Sequence, residues 1–256
     1  MAEFFLELFS EEIPAGLQKN LREKLLEEFQ KFFFEKSIKS KKNFSLSTPN
    51  RLIVVFEGLD KQIKTLSEEI KGPKTNAPEQ ALEGFIRSNK IEKKDLFKKK
   101  NEKGEFYFYK TKSIVLKTHD LLIEFIPKIL ENYQWKKSMK WGDYDLNWGR
   151  PLKSILSVFD KKIINFEFHH ISSSNSTYID KDFEEKTKNF TDFISYEKYF
   201  KKQGTIVNQD KRKELIKKEF LKILSKRKLM IQENPKLLDE VINLVDNPNV
   251  LICSFD

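Results

Sequence analysis

The residue types best suited to binding chemistry are concentrated between Lys137 and Pro151. This stretch contains two of the three tryptophans, two of the eight glycines and one of only six arginines, whereas lysine is the usual cation elsewhere in the chain. A planar guanidinium can bind a carboxylate or phosphate through two parallel hydrogen bonds, so Arg150 is a candidate binding group. The alternative interpretation of the stretch is a buried tryptophan beside a glycine turn.

The usual catalytic constellations are missing from the sequence. It contains no glycine-rich phosphate-binding loop. The adjacent His169 and His170 follow a predicted strand and would point to opposite faces, so they are poorly placed to share a metal ion. Cys253 lies in an apolar run typical of a core position, and Glu11 and Glu12 precede a predicted helix that they would cap. The sequence therefore predicts binding rather than bond-making chemistry, and it leaves the role of the two histidines open.

Composition and charge predict a soluble, cytoplasmic, globular protein. The net charge of +9 suits a phosphate-rich partner such as RNA or DNA, although an AT-rich coding sequence would also enrich lysine. The single cysteine excludes an internal disulfide and a cysteine-based zinc site. No apolar run approaches the roughly 20 residues needed to span a bilayer, and the N-terminus lacks the features of a signal peptide.

Hydrophobic periodicity predicts an α+β fold with mixed or antiparallel sheets and packed helices. Helices are predicted at residues 17–34, 78–89, 121–133, 195–202, 209–228 and 235–245. Strands are predicted at 4–9, 51–56, 106–116, 155–159, 163–168, 205–207 and 250–255, with a charged loop at 36–42 and a polar loop at 170–177.

Two regions are expected along the chain, residues 1–150 and residues 151–256, each with α+β character. The predicted final strand, 250–255, ends one residue before the C-terminus and leaves no turn or returning partner. A strand needs neighbours to be stable. The second region is therefore expected to be truncated at its C-terminus.

Several of these segments, taken in order, resemble the N-terminal part of the β subunit of bacterial tetrameric glycyl-tRNA synthetase. The matching runs are Phe5-Leu-Glu-Leu-Phe-Ser-Glu-Glu-Ile-Pro14, Thr48-Pro-Asn-Arg-Leu52, Lys71-Gly-Pro73, Ala81-Leu-Glu-Gly-Phe85, Lys137-Ser-Met-Lys-Trp-Gly142, Arg150-Pro151, Leu237-Leu-Asp-Glu-Val241, Leu244-Val245 and Pro248-Asn-Val250. Asn50 and Lys140 stand where that family has arginine, and residues 172–178 lack its Gly-His-Arg-Phe motif.

The resemblance implies a non-catalytic subunit module at the N-terminal end of a larger multidomain chain. In that family the enzyme is an α2β2 tetramer whose α subunit activates glycine with ATP and Mg²⁺, while the β subunit supports transfer to tRNA(Gly). The expected partners are therefore the α subunit and tRNA(Gly), with no membrane. No cofactor, metal site or catalytic residue is expected in this chain.

Four residues are the candidate contacts for tRNA or for another subunit: Arg51, Lys140, Trp141 and Arg150. Lysine and arginine neutralise phosphates, and exposed aromatic rings stack on unpaired bases. For Trp141 the alternative is a place in the core, and for Arg150 it is a structural role binding carbonyl groups at a turn. For the whole chain, the alternatives are a free-standing basic RNA-binding module and a protein-docking module.

Overall fold

The computed structural model describes residues 2–64, 67–101, 104–179, 186–228, 230–232 and 234–253. The strands of this part are β1 (Ala2–Ser10), β2 (Lys42–Thr48), β3 (Arg51–Leu59), β4 (Gln62–Lys64), β5 (Glu69–Lys74), β6 (Leu96–Asn101), β7 (Gly104–Lys110), β8 (Val115–Lys117), β9 (Met139–Lys140), β10 (Asn147–Trp148), β11 (Leu152–Phe159), β12 (Lys162–Ile163), β13 (Glu167–Phe168), β14 (Ile171–Ser172), β15 (Ser176–Tyr178) and β16 (Thr187–Asn189). The helices are α1 (Ala15–Glu35), α2 (Glu79–Asn89), α3 (Thr118–Glu131), α4 (Phe193–Lys202), α5 (Gln209–Arg227) and α6 (Pro235–Val241). Antiparallel sheets combined with helices confirm the predicted α+β class.

The chain divides into two compact units. The larger unit comprises Met1–Lys61 and Thr118–Asp256, and the inserted unit comprises Gln62–Lys117. This division differs from the expected boundary after residue 150. The reason is that β1 and β11, which lie on either side of that boundary, pair at seven positions in one sheet.

A five-stranded antiparallel sheet with the order β12-β11-β1-β3-β2 forms the centre of the larger unit. Strand β1 lies in the middle and is covered on both faces, which explains its nearly continuous apolar sequence. On one face the ring of Phe4 lies 5.1 Å from that of Phe29 in α1. On the other, Phe5 lies 5.0 Å from Tyr196 and 5.6 Å from Phe193, both in α4. Burying each such ring contributes about 1.5–3 kcal/mol.

The hairpin predicted after residue 155 is confirmed in part. Strands β11 and β12 pair through a two-residue turn at Asp160 and Lys161, whose φ angles are 50° and 65°. Positive φ at both positions is typical of a type I′ turn, which matches the twist of paired strands. The rest of the predicted second strand leaves the sheet and forms β13, which pairs with β14.

Several local predictions for the larger unit were wrong. The polar segment 170–177 contains β14 and the start of β15, because its short strands pair with β13 and β16. Residues 205–207 are not a strand; the Ile206 N–H instead donates to the Asp246 carbonyl oxygen. Residues 250–253 are not a strand either, and 254–256 lie outside the described residues. Cys253 is exposed rather than part of the core.

The inserted unit contains a three-stranded antiparallel sheet of order β5-β7-β6 and the separate pair β4-β8. Its helix α2 contacts β5, and Gly72 of that strand lies so close to the Phe85 ring that a Cβ there would approach it to 2.9 Å. The prediction of a single strand at 106–116 was wrong, because this segment contains β7 and the start of β8, which belong to different sheets.

No helix in the described ranges is both long enough and apolar enough to cross a bilayer.

Candidate functional site

Three turns that are far apart in the sequence meet in the larger unit. They are the turn after β1 (residues 10–14), the turn between β2 and β3 (residues 49–50) and the segment before β11 (residues 149–151). Their backbone hydrogen bonds are Ser10 N–H to Asn50 O at 2.9 Å, Glu11 N–H to Pro151 O at 2.9 Å and Ile13 N–H to Pro49 O at 2.6 Å. The runs Ser-Glu-Glu-Ile-Pro, Thr-Pro-Asn-Arg and Arg-Pro are thus parts of one local structure.

Arg150 joins two of these turns through its side chain. Its Nε donates to the Glu12 carbonyl oxygen at 2.9 Å, and its Nη1 donates to the Gly149 carbonyl oxygen at 3.3 Å. The structural role considered for Arg150, binding carbonyl groups at a turn, is therefore present. The side chain is only half-buried, and within the described residues it forms no ion pair, so its charge remains available to a ligand.

A buried aromatic cluster supports the segment before β11. Trp148 is 2% exposed, and its ring lies 5.6 Å from that of Tyr133, 5.1 Å from that of Trp135 and 5.6 Å from that of Phe168. A Cβ at Gly149 would lie only 2.0 Å from the Trp135 ring. Glycine is needed here because the indole occupies the space of any side chain. The interpretation of a buried tryptophan beside a glycine turn thus applies to Trp148.

Trp141 has a different environment from Trp148. It is half-buried, and its indole N–H donates to the Trp148 carbonyl oxygen at 3.1 Å. Gly142, which follows it, has a φ of 58°, a conformation that favours glycine and turns the chain sharply. The hydrogen bond fixes the indole, and part of the ring faces an open cleft.

The cleft is shallow and has a volume of about 700 Å³. Its lining residues are Glu11, Glu12, Pro14, Ala15, Trp141, Arg150, Pro151 and Leu244. It combines a guanidinium, an indole and two carboxylates, and one of these carboxylates, that of Glu11, is paired with Lys153 at 2.5 Å. Such a lining can bind a partner through charge, hydrogen bonds and stacking, but it supplies no histidine or cysteine nucleophile.

The capping role expected for Glu11 and Glu12 was wrong. Helix α1 begins at Ala15 with Pro14 as its N-cap residue, no side chain makes a capping hydrogen bond, and the first turn contains no acidic residue. The two carboxylates precede the helix and line the cleft instead. No local signal in the sequence predicts this, because the opposite wall comes from residues 141–151 and 244.

Lys140 lies near the cleft in sequence but does not line it. Its exposed ammonium donates to Asp145 at 2.8 Å across the turn between β9 and β10. This hydrogen bond lowers the pKa of the Asp145 carboxyl. The same turn carries Tyr144, whose ring stacks on that of His170 at 3.5 Å. Burial and the neighbouring His169 lower the pKa of His170.

Arg51 is buried, and not on the surface as expected. It is 2% exposed, its Nη2 donates to the Tyr178 carbonyl oxygen at 2.5 Å, and its Nε lies 3.6 Å from a carboxylate oxygen of Glu7. The guanidinium also lies 4.6 Å from the ring centroids of Phe9 and Phe200. In this structure it is occupied by internal partners and cannot reach a phosphate outside the protein.

In the described part of the chain, no group of three histidine, cysteine, aspartate or glutamate side chains is placed to bind a metal ion.

The four candidate contacts predicted from the sequence have three different environments. Trp141 and Arg150 both line the cleft, Lys140 is exposed and paired with Asp145, and Arg51 is in the core.

Comparison with known proteins identifies relatives of this chain. The family profile described as "Glycyl-tRNA synthetase beta subunit" matches residues 4–256. The chain is 37% identical over 252 residues to the glycine–tRNA ligase beta subunit of Rickettsia conorii, and 36% identical over 252 residues to that of Rickettsia africae. It is 37% identical over 251 residues to that of Rickettsia bellii.

Each of these alignments covers 98% of this chain but only 38% of the relative. The chain thus spans well under half the length of the curated relatives that it matches, and it corresponds to their N-terminal part. The match includes the three turns and the residues that line the cleft. The chain belongs to the family of glycyl-tRNA synthetase beta subunits.

Proposed function

We propose that this chain is the N-terminal part of a β subunit that supports glycylation of tRNA(Gly) without performing the chemistry itself. The observation that carries the proposal is the cleft, which Trp141 and Arg150 both line. The lining offers binding groups but no histidine or cysteine. This chemistry suits a surface that positions a partner.

The proposed partners are a glycyl-tRNA synthetase α subunit and tRNA(Gly), assembled as an α2β2 tetramer in the cytoplasm. ATP and Mg²⁺ would bind at the α subunit, where glycine is activated. The relatives carry the name of the ligase's beta subunit, and a beta subunit implies an α partner. In this arrangement the present chain contributes to transfer and not to activation.

Trp141 and Arg150 are the main proposed contacts, and Lys140, which precedes Trp141, is a third although its ammonium is paired with Asp145. Within the described residues the guanidinium of Arg150 has no carboxylate partner, so a phosphate or a carboxylate of the partner can approach it. Arg51 acts from the interior by binding Glu7 and the Tyr178 carbonyl. It supports the fold of this region and does not touch the partner.

The proposal is tested by measuring glycylation of tRNA(Gly) with the α subunit, with and without the β subunit that contains these residues. We expect efficient transfer only with both subunits. Arg150→Ala in the β subunit should lower kcat/KM by about tenfold or more, equivalent to about 1.4 kcal/mol. The matched control is Arg227→Ala, because Arg227 is exposed at the end of α5.

An α subunit that charges tRNA equally well without the β subunit would disprove the proposal. Because Arg150 also binds two carbonyl groups, thermal unfolding of both variants should be compared first. Trp141→Phe provides a second variant that keeps a smaller aromatic ring and removes the N–H that donates to the Trp148 carbonyl oxygen.

A further inference from the structure

The inserted unit carries most of the net charge of the protein. Residues 62–117 contain fourteen lysines and arginines and eight acidic residues, a net charge of +6 out of +9 for the whole chain. These 56 residues thus hold two thirds of the excess charge in less than a quarter of the sequence. Such a concentration is the electrostatic signature of a surface that meets phosphates.

One face of the β5-β7-β6 sheet alternates lysine with phenylalanine. Residues that are directly opposite in antiparallel strands lie on the same face, and residues two apart in a strand share a face. The register pairs Lys71 with Phe108, Lys74 with Phe106, Phe97 with Phe108 and Lys99 with Phe106. We call these six residues the Lys–Phe face.

The contacts show that Lys71, Lys74 and Phe106 lie on the same face of the sheet, and they show which groups are available. Lys71 Nζ lies 3.6 Å from the centroid of the Phe106 ring, and Lys74 Nζ lies 5.8 Å from it. Both lysines are exposed, and neither forms an ion pair within the described residues. Lys99 differs, because it is paired with Glu69 at 2.8 Å.

One of the three rings on this face is also accessible: Phe97 is exposed, whereas Phe106 is buried and Phe108 is half-buried. The Phe97 ring stacks on the Phe108 ring with centroids 6.0 Å apart and an interplanar angle of 26°. Phe97 is 36% exposed, although burial would stabilise an apolar ring of this size. An exposed ring beside unpaired ammonium groups offers a platform on which a flat ligand group can stack while its phosphate is neutralised.

We propose that the Lys–Phe face binds an unpaired segment of RNA, with Lys71 and Lys74 on phosphates and a base stacked on Phe97. A protein partner fits this surface less well, because the cores of protein–protein interfaces are depleted in lysine. Unpaired RNA combines the two groups that the face recognises, a phosphodiester backbone and flat bases. The binding of unpaired RNA is inferred from the face itself, and only the identification of that RNA as tRNA rests on the proposed function.

The test is fluorescence anisotropy of a labelled 12-nucleotide oligouridine, of the corresponding RNA duplex and of tRNA(Gly), each titrated with the 256-residue chain. Lys71→Gln/Lys74→Gln should weaken oligouridine binding by about tenfold and reduce the salt slope by about 1.4, since each contact with a single strand contributes about 0.7. Phe97→Ala should weaken it by about fivefold or more, and Phe97→Tyr should restore it, because tyrosine keeps the stacking face.

The matched control is Lys31→Gln/Lys128→Gln, which removes two positive charges from the exposed surfaces of α1 and α3. The proposal is supported if this control binds oligouridine as tightly as the wild type while the Lys71→Gln/Lys74→Gln and Phe97→Ala variants bind it more weakly. Equal losses in both double variants, no binding by the wild-type chain, or equally tight binding of the duplex would overturn it. Glycylation by the assembled enzyme tests the proposed function separately. If the Lys–Phe face variants lose no affinity for oligouridine while glycylation still requires the β subunit, the inference about this face fails and the proposed function stands.

Discussion

At the scale of single residues, Glu7 is a demanding group to bury. Its side chain is fully buried in the middle of β1, where the Thr177 hydroxyl donates to it and Arg51 Nε lies 3.6 Å away. Removing a carboxylate from water is costly unless its partners compensate. Burial raises the pKa of Glu7 above its ordinary value of 4.5, and Arg51 opposes that shift.

This raised pKa predicts the sign of a pH effect on stability. The folded state holds the proton of Glu7 more tightly than the unfolded state does. The resulting stabilisation is therefore fully present below pH 4.5 and is lost as the pH rises through the higher folded-state pKa. Glu7→Gln removes this dependence. The free energy of unfolding of the variant, minus that of the wild type, should increase as the pH rises above 4.5.

Urea denaturation at a series of pH values measures this difference. The matched control is Glu27→Gln, which removes a carboxylate from the exposed surface of α1. A Glu7→Gln profile parallel to that of the wild type over the whole range would show that Glu7 does not titrate differently on folding. The prediction would also be contradicted if the difference in unfolding free energy between Glu27→Gln and the wild type changed with pH as much as that of Glu7→Gln.

At the scale of elements, Arg212 connects α5 to three other segments. Its Nε donates to the Ile242 carbonyl oxygen at 2.7 Å, its Nη1 to that of Ile206 at 2.6 Å and its Nη2 to that of Ser47 at 2.9 Å. The side chain is fully buried, and this burial lowers the pKa of Arg212 to about 10. The group is therefore still charged at pH 7, and its hydrogen bonds are charge-assisted.

Arg212→Met should destabilise the larger unit by about 3 kcal/mol or more, because three buried carbonyl groups lose their donor. Arg212→Lys should be intermediate, since an ammonium on a flexible chain cannot reproduce the planar fork. Chemical denaturation followed by far-ultraviolet circular dichroism measures both. Arg227→Met is the control, and its exposed position in α5 predicts a change within about 0.5 kcal/mol. Equal effects at positions 212 and 227 would contradict the prediction.

The elements that the sequence predicted correctly have repeated apolar positions of their own. Leu21, Leu25 and Phe29 recur at helical spacing and are buried in α1 as expected. Strand β2 gave no comparable signal, because it is an edge strand with only Phe44 and Leu46 as large apolar side chains. Edge strands depend on a neighbour, here β3, that single-sequence patterns do not identify.

The candidate site was predictable only where its residues are close in sequence. Trp141 and Arg150 were found because both lie in one unusual segment. The contact of Arg150 with the Glu12 carbonyl spans 138 residues and depends on the pairing of β1 with β11. The burial of Arg51 likewise follows from Glu7 on the neighbouring strand, which no local pattern reveals.

At the scale of the whole molecule, the inserted unit leaves and rejoins the larger unit at adjacent positions. The Thr118 N–H donates to the Lys61 carbonyl oxygen at 3.0 Å, and Gln62 is directly opposite Lys117 in the β4-β8 pair. Opposite residues in an antiparallel pair are only about 5 Å apart. A linker of about three residues can therefore replace residues 62–117 without stretching the chain.

We expect the protein with a Gly-Ser-Gly linker in place of residues 62–117 to keep the cooperative unfolding of the larger unit. All five strands of its central sheet, together with the aromatic cluster around Trp148, lie outside the replaced segment. Thermal unfolding followed by near-ultraviolet circular dichroism tests this, because the tryptophans belong to the larger unit. Loss of the cooperative transition would mean that the larger unit requires the insertion. Since the Lys–Phe face lies entirely within the replaced segment, oligouridine binding should disappear while the fold remains.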